Sequence, residues 1–183
     1  LDAVLPGGGW PVGALCELLQ PPGQHSEWRL LLPALACSGS GAVVLVGPDV
    51  LPLAPALQAQ GLAAHRLVWL RCEGQAGAQR LWAAEQALRC ADVDAVLLWL
   101  PGSQAALATQ LRRLHLAAAQ HRSLFFALRT HAARTHASAA VLRLALALDT
   151  AAPTPSGDVP LQVDIFKRRG PPLDAPLTLA ARP

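Results

Sequence analysis

The 183-residue sequence predicts an α/β fold: a mainly parallel, twisted sheet with helices on both faces and antiparallel strands at its C-terminal edge. Three observations predict it. Strand-like apolar runs alternate with helix-period segments as far as Arg129, the order from which parallel sheets are built. One of those runs, AVVLV at 42–46, is apolar without a break, as a strand covered on both faces must be. Beyond Arg129 the texture shifts to strand-like runs separated by polar, Pro-, Gly- and Ser-containing stretches.

Taken in order, 14–19 reads as a strand and 28–38 as a helix. The apolar run 42–46 is a strand, 53–60 is a helix ending at Gly61, and LVWLR at 67–71 is a strand. Residues 78–90 place Leu81, Ala84, Glu85 and Leu88 at helical spacing. VDAVLLWL at 93–100 is a strand, halted by Pro101-Gly102. A long helix is expected over 103–119, with the Ser103 hydroxyl able to accept from an orphan backbone N–H at its start. Its Leu111, Leu114 and Ala118 share one stripe, and Arg112 and Arg113 lie on another. SLFFAL at 123–128 is a strand, 130–140 a polar loop or frayed turn, and 141–149 a strand. A Pro/Gly/Ser connector follows at 151–158. LQVDIF at 161–166 alternates as a half-exposed strand does; Lys167-Arg168-Arg169-Gly170 is a basic turn, and 177–180 is a short closing strand. No internal repeat is visible, and 1–183 suits a single domain.

Composition narrows the function classes. Charged residues make up 15% of the chain, against roughly 25% in ordinary soluble domains. A large apolar partner surface and a mere Ala/Leu bias both account for that. The formal charge of +3 is not the dense basic stripe of an autonomous DNA binder, and Lys167 is the lone lysine. Cys16, Cys37, Cys72 and Cys90 are far apart with no C-x-x-C spacing, which suits free thiols in a reducing cytoplasm. No run approaches the ~20 apolar residues of a membrane span, and no signal peptide is visible. The chain has no Met and begins inside a patterned segment, so further native residues are expected before it. His131 and His136 stand five apart without nearby Cys or carboxylate, and no metal is expected.

The opening, LDAVLPGGGWPVGALCELL, carries Leu-Asp, a spaced Leu, three glycines, Pro and Gly, then a strand holding Glu17. This resembles the start of the RecA core, where a similar segment leads through a strand into the phosphate loop. The order of strands after it is similar over essentially the whole chain. Within that class, LDAVLPGGGWP, WAAEQALR and the KRRG after the late strand resemble ImuA, the RecA-like, SulA-related component of bacterial translesion-synthesis cassettes. The resemblance implies a cytoplasmic accessory protein of the SOS response to DNA damage. It would work beside ImuB, a catalytically dead Y-family-like polymerase, and an error-prone DnaE-type polymerase, with RecA as a further partner. A SulA-like inhibitor of FtsZ and an ATP-binding switch of the RecA/KaiC class are the alternatives.

Carried onto this sequence, the phosphate-loop chemistry is missing. The degenerate loop spans 20–27 and keeps Gly23. Where the class has Gly-Lys-Thr or Gly-Lys-Ser, this chain has His25, Ser26 and Glu27. The class uses backbone N–H groups, a Lys and a hydroxyl there to hold phosphates and Mg²⁺. A carboxylate ~4 Å from a phosphate charge is repelled by about 1 kcal/mol in water and about 4 kcal/mol at an effective dielectric of 20. Pro21-Pro22 also removes backbone donors. Alternatively, Glu27 simply favours the positive end of the helix it opens. Trp99 stands at the acidic metal-orienting position, Pro48 at the water-activating one with Asp49 next to it, and Ala127 and Leu128 at the polar sensor. Four positions fail together, so neither catalysis nor a bound nucleotide cofactor is expected.

The surviving candidates are contacts. The resemblance places Lys167, Arg168 and Arg169 in a turn whose basic pair, in RecA filaments, reaches a neighbour's ATP; a solvated basic turn or a phosphate-backbone contact accounts for Lys167 and Arg169 as well. It places Arg129 and Arg134, with His131 and His136, at a shortened DNA-contacting loop, for which an ordinary exposed loop is the equal alternative. That loop has no aromatic residue to stack on bases, so weak or no direct DNA binding is expected. Trp69 is expected in the core, Trp82 either packed or exposed, and Trp99 as filler of the vacated metal pocket. Trp10 and Trp28 flank the loop, as core residues or as partner-facing anchors.

Overall fold

The computed structural model describes residues 1–72, 77–100, 107–150 and 159–180. Its strands are β1 (Leu15–Gln20), β2 (Ala42–Val46), β3 (Leu67–Leu70), β4 (Val93–Trp99), β5 (Leu124–Thr130), β6 (Leu142–Leu148), β7 (Leu161–Lys167) and β8 (Leu177–Leu179). Its α-helices are α1 (Glu27–Ala36), α2 (Ala54–Ala59), α3 (Gly77–Leu88) and α4 (Ala108–His121). The strands form one sheet in the order β3-β2-β4-β5-β1-β6-β7-β8. Pairing is parallel from β3 through to β6, and β7 and β8 close the C-terminal edge antiparallel.

Each expected strand and helix is present, with ends moved by a few residues. The expected Ser103 cap and the connector at 151–158 fall outside the described residues. The polar stretch after β5 carries a 3₁₀ helix, His131–Thr135, and β6 belongs to the parallel part of the sheet.

Strand alternation splits the core into two layers. On one face, Leu18, Leu45, Leu97, Phe126 and Leu144 meet Leu31 and Leu35 of α1 and Leu57 of α2. On the other, Leu15, Val44, Val96 and Phe125 meet Leu81 and Leu88 of α3 and Leu111, Leu114 and Ala118 of α4. Helices thus cover both faces, which is why β2 could be apolar at every position. The expected α4 stripe is the buried one, while Arg113 reaches across to the buried Glu85 of α3.

Trp69 corrects the expectation of a core residue. It is 38% exposed, because β3 is the outermost strand; the Arg71 guanidinium lies 4.7 Å from its ring centroid. Asp94 opens β4 at the end of the sheet away from the loop. There its Oδ2 accepts from the Gly41 N–H at 2.6 Å and from the buried Arg66 at 3.1 Å.

Two predictions follow from packing. The Leu15 N–H donates to His115 Nδ1 at 2.9 Å, so that nitrogen must be unprotonated, and desolvation lowers the His115 pKa from 6.5. Stability tied to this bond is complete above the ordinary histidine pKa and is lost as the pH falls through it toward the lower folded value. Thermal midpoints measured between pH 7.5 and 5 should therefore fall, and His115→Gln, whose amide oxygen can accept at any pH, should flatten the slope. An unchanged slope would remove His115 as its source. The second concerns thiols. Cys16 is buried, and burial pushes its thiol far above the usual range, whereas Cys37 and Cys90 are exposed. Thiol labelling of the native protein should modify Cys37 and Cys90 first and leave Cys16 until the chain unfolds.

Candidate functional site

The C-terminal ends of β1, β4 and β5 lie side by side, the place where open α/β sheets carry their ligands. They frame a cleft with the 21–26 loop, lined among others by Gly23, His25, Asp49 and Trp99. Its volume is about 70 Å³, room for about two waters and well below the ~300 Å³ of a small-molecule site.

The loop is closed by its own side chains. Gln20, the last residue of β1, turns its carboxamide onto the start of α1. The Ser26 N–H donates to Gln20 Oε1 at 3.3 Å, and Gln20 Nε2 donates to Glu27 Oε2 at 2.8 Å. Glu27 is 1% exposed and is the first residue of α1, with His25 Nδ1 3.7 Å from its Oε1. A carboxylate here gains from the positive end of the helix dipole. It occupies the N-terminus of the helix, where backbone N–H groups favour an anion, and Gln20 takes the Ser26 amide there. Pro21 and Pro22 offer no N–H, and Gly23 carries the turn at φ +77°. The structure places Glu27 in the first turn of α1, as the helix-dipole reading expects.

Trp99 ends β4 at 5% exposure, and its ring lies 6.4 Å from that of Trp28, tilted by 32°. An indole thus fills the space beside the loop. Trp10 stands edge-on to Phe126, centroids 5.1 Å apart. Trp10 and Trp28 are both half-buried, packed against the core with part of each ring still accessible. Asp49 sits over the end of β2 with its side chain 64% exposed, 3.8 Å from Arg80 Nη2. Ala127 and Leu128 are buried and apolar.

Beyond β1 lies a charge cluster. Glu17, wholly buried in the middle of β1, receives Arg129 Nη1 on Oε1 at 3.1 Å, the Ser138 hydroxyl on Oε1 at 2.7 Å and Arg143 Nε on Oε2 at 2.6 Å. Arg143 also donates to the backbone oxygens of Ala133, Arg134 and His136, pinning the 131–136 segment. His131 Nε2 lies 3.1 Å from the Leu19 carbonyl and 3.0 Å from that of Leu146. Arg129, expected at an exposed loop, is 4% exposed and belongs to this cluster. Arg134 does reach the surface, paired with Asp164 at 2.7 Å and set over Phe166, 4.3 Å from its centroid.

The basic turn after β7 divides its roles. Arg168 turns inward, donating to the carbonyls of Val4 and Pro171 and so tying the turn to the N-terminal segment. Lys167, which donates to the Ser138 carbonyl at 2.9 Å, and Arg169 are exposed. Among the described residues no three His, Cys, Asp or Glu side chains gather as a metal site, and no helix is long and apolar enough to cross a membrane.

Sequence reasoning missed Gln20, Arg80 and Arg143. The available signal was parity: Glu17 and Arg143 are directly paired across β1 and β6, each the lone charge in an apolar strand.

No protein-family model matches the chain, and no curated protein matches it by sequence. Among solved structures it is similar to that of the RadB recombinase, with TM-score 0.68 and 17% identity over 95% of this chain and 89% of that one. The chain has a RecA-like α/β fold.

Proposed function

We propose that this chain is a non-catalytic RecA-like accessory protein of the SOS mutagenesis and translesion-synthesis machinery. It acts by protein–protein contact, with ImuB and its error-prone DnaE-type polymerase complex as partners and RecA as a further one. One observation carries the non-catalytic reading: the entrance to α1 is occupied by Gln20 and the buried Glu27, with Trp99 filling the space alongside. The ImuA identity rests on the sequence resemblance of the opening segment, WAAEQALR and KRRG.

Surface chemistry supports action by contact. Between β3 and α3 lies an apolar groove of about 540 Å³, lined among others by Val68, Trp69, Trp82 and Cys90. Trp82 is 61% exposed, and exposed indoles of this kind are frequent interface anchors. The exposed Lys167 and Arg169 remain available to an anionic partner group.

The test is a pull-down with the purified chain against ImuB, RecA and FtsZ. Retention of ImuB is the expected result. Retention of FtsZ alone would contradict the proposal and favour a division inhibitor. If the basic turn serves RecA, the Lys167→Glu/Arg169→Glu double variant should lose binding to ATP-bound RecA and keep ImuB. Undiminished RecA binding would remove the turn from the interface.

A further inference from the structure

Arg80 differs from Arg66 and Arg143, two other buried arginines. Arg66 gives hydrogen bonds to two carbonyls, a hydroxyl and Asp94, and Arg143 is matched by Glu17 and three carbonyls. Arg80 is 7% exposed and gives one hydrogen bond among the described residues, from Nη1 to the Trp99 carbonyl at 2.9 Å. Its Nε meets no acceptor. The carboxylate beside it, Asp49, is 3.8 Å from Nη2, beyond hydrogen-bond reach, and stands mostly in water. Arg80 also lies in the opening turn of α3, where the helix dipole adds positive potential instead of offsetting it. The fold makes room for this cation: a Cβ on Gly47 would come within 2.7 Å of Arg80 Nε.

Directly after Asp49 the chain exposes apolar side chains in succession: Val50 at 55%, Leu51 at 42% and Leu53 at 77%. A buried, under-compensated guanidinium thus opens beside an exposed apolar segment, on a chain of net charge +3. We propose that Arg80 and the 49–53 segment form a docking surface for an acidic–apolar peptide segment of a partner protein. A partner carboxylate takes the place of Asp49 at Arg80 Nη2, and the apolar residues flanking it cover Val50, Leu51 and Leu53. A free phosphate would leave those side chains in water, so the apolar rim selects a carboxylate carried on an apolar chain. The inference deepens the reading of a contact protein by naming the chemistry of one partner segment.

The test is an NMR titration of the ¹⁵N-labelled chain with a capped peptide of alternating Leu and Asp. It follows the Arg80 Nε–Hε signal and the amides of 49–53. Saturable shifts at both are expected, and the peptide with Asn in place of Asp should bind about tenfold more weakly. Asp49→Asn, which removes the internal competitor, should tighten binding about threefold, and Leu53→Ser should weaken it about threefold. Both positions are exposed, so unchanged thermal midpoints confirm that the fold is intact. No shift at Arg80 at millimolar peptide, or equal binding of the Asn peptide, would overturn the proposal. So would the same shifts from inorganic phosphate or an oligothymidylate. Retention of ImuB by the Leu53→Ser and Asp49→Asn variants is scored separately, so failure of the peptide arm stays distinguishable from failure of the contact reading.

Discussion

Glu17→Ala should cost about 3–5 kcal/mol of stability, the usual penalty for breaking a buried ion pair from one side. The reason is that two guanidinium groups, Arg129 and Arg143, share this one carboxylate inside the sheet. Removing it takes the shared carboxylate from both guanidinium groups and leaves the Ser138 hydroxyl without its acceptor. Urea unfolding monitored by circular dichroism measures the loss, and the thermal midpoint should fall by roughly 6–20 °C for a chain of this size. Glu17→Gln keeps an acceptor and should lose less. Because Arg143 also pins 131–136, amide exchange in that segment should quicken in Glu17→Ala before the protein unfolds globally. A loss under about 1 kcal/mol, the range of exposed pairs, would mean the cluster is not a buried charge network.

Trp99→Ala should be comparably damaging, at about 3–5 kcal/mol, because it empties the largest side chain from the end of β4 and leaves a cavity under the loop. The ring also packs with Trp28, so the fluorescence of Trp28 should shift to longer wavelength as water reaches it. Trp99→Phe, which refills most of the volume, should recover much of the stability. A Trp99→Ala protein as stable as the parent would mean that the indole is not filling space beside the loop.

The central strands were the most legible part of the molecule. AVVLV at 42–46 became β2 with the same ends, because a strand covered on both faces writes its burial into every residue. Trp69 was misplaced for a related reason. LVWL is as apolar as a central strand, and a single sequence does not say which strand ends up outermost. The loop was readable at the level of chemistry: no Lys, a carboxylate at 27 and an indole at 99. What the letters could not carry was its closure by Gln20, which depends on a carboxamide reaching seven residues ahead onto the turn of α1. Arg129 was placed at a DNA-contacting or ordinary exposed loop because the resemblance puts such a loop after this strand. Its true environment is fixed by Glu17, 112 residues earlier, through strand pairing that no local pattern encodes. Arg80 was hidden similarly, since its burial depends on Gly47, just past β2, and on the end of β4.

Isothermal calorimetry of the purified chain with ATP and Mg²⁺ bears most directly on the central claim, that Gln20, Glu27 and Trp99 have closed the loop to a triphosphate. No saturable heat up to millimolar nucleotide is the predicted result. Micromolar binding of ATP, or its turnover by the chain, would contradict it.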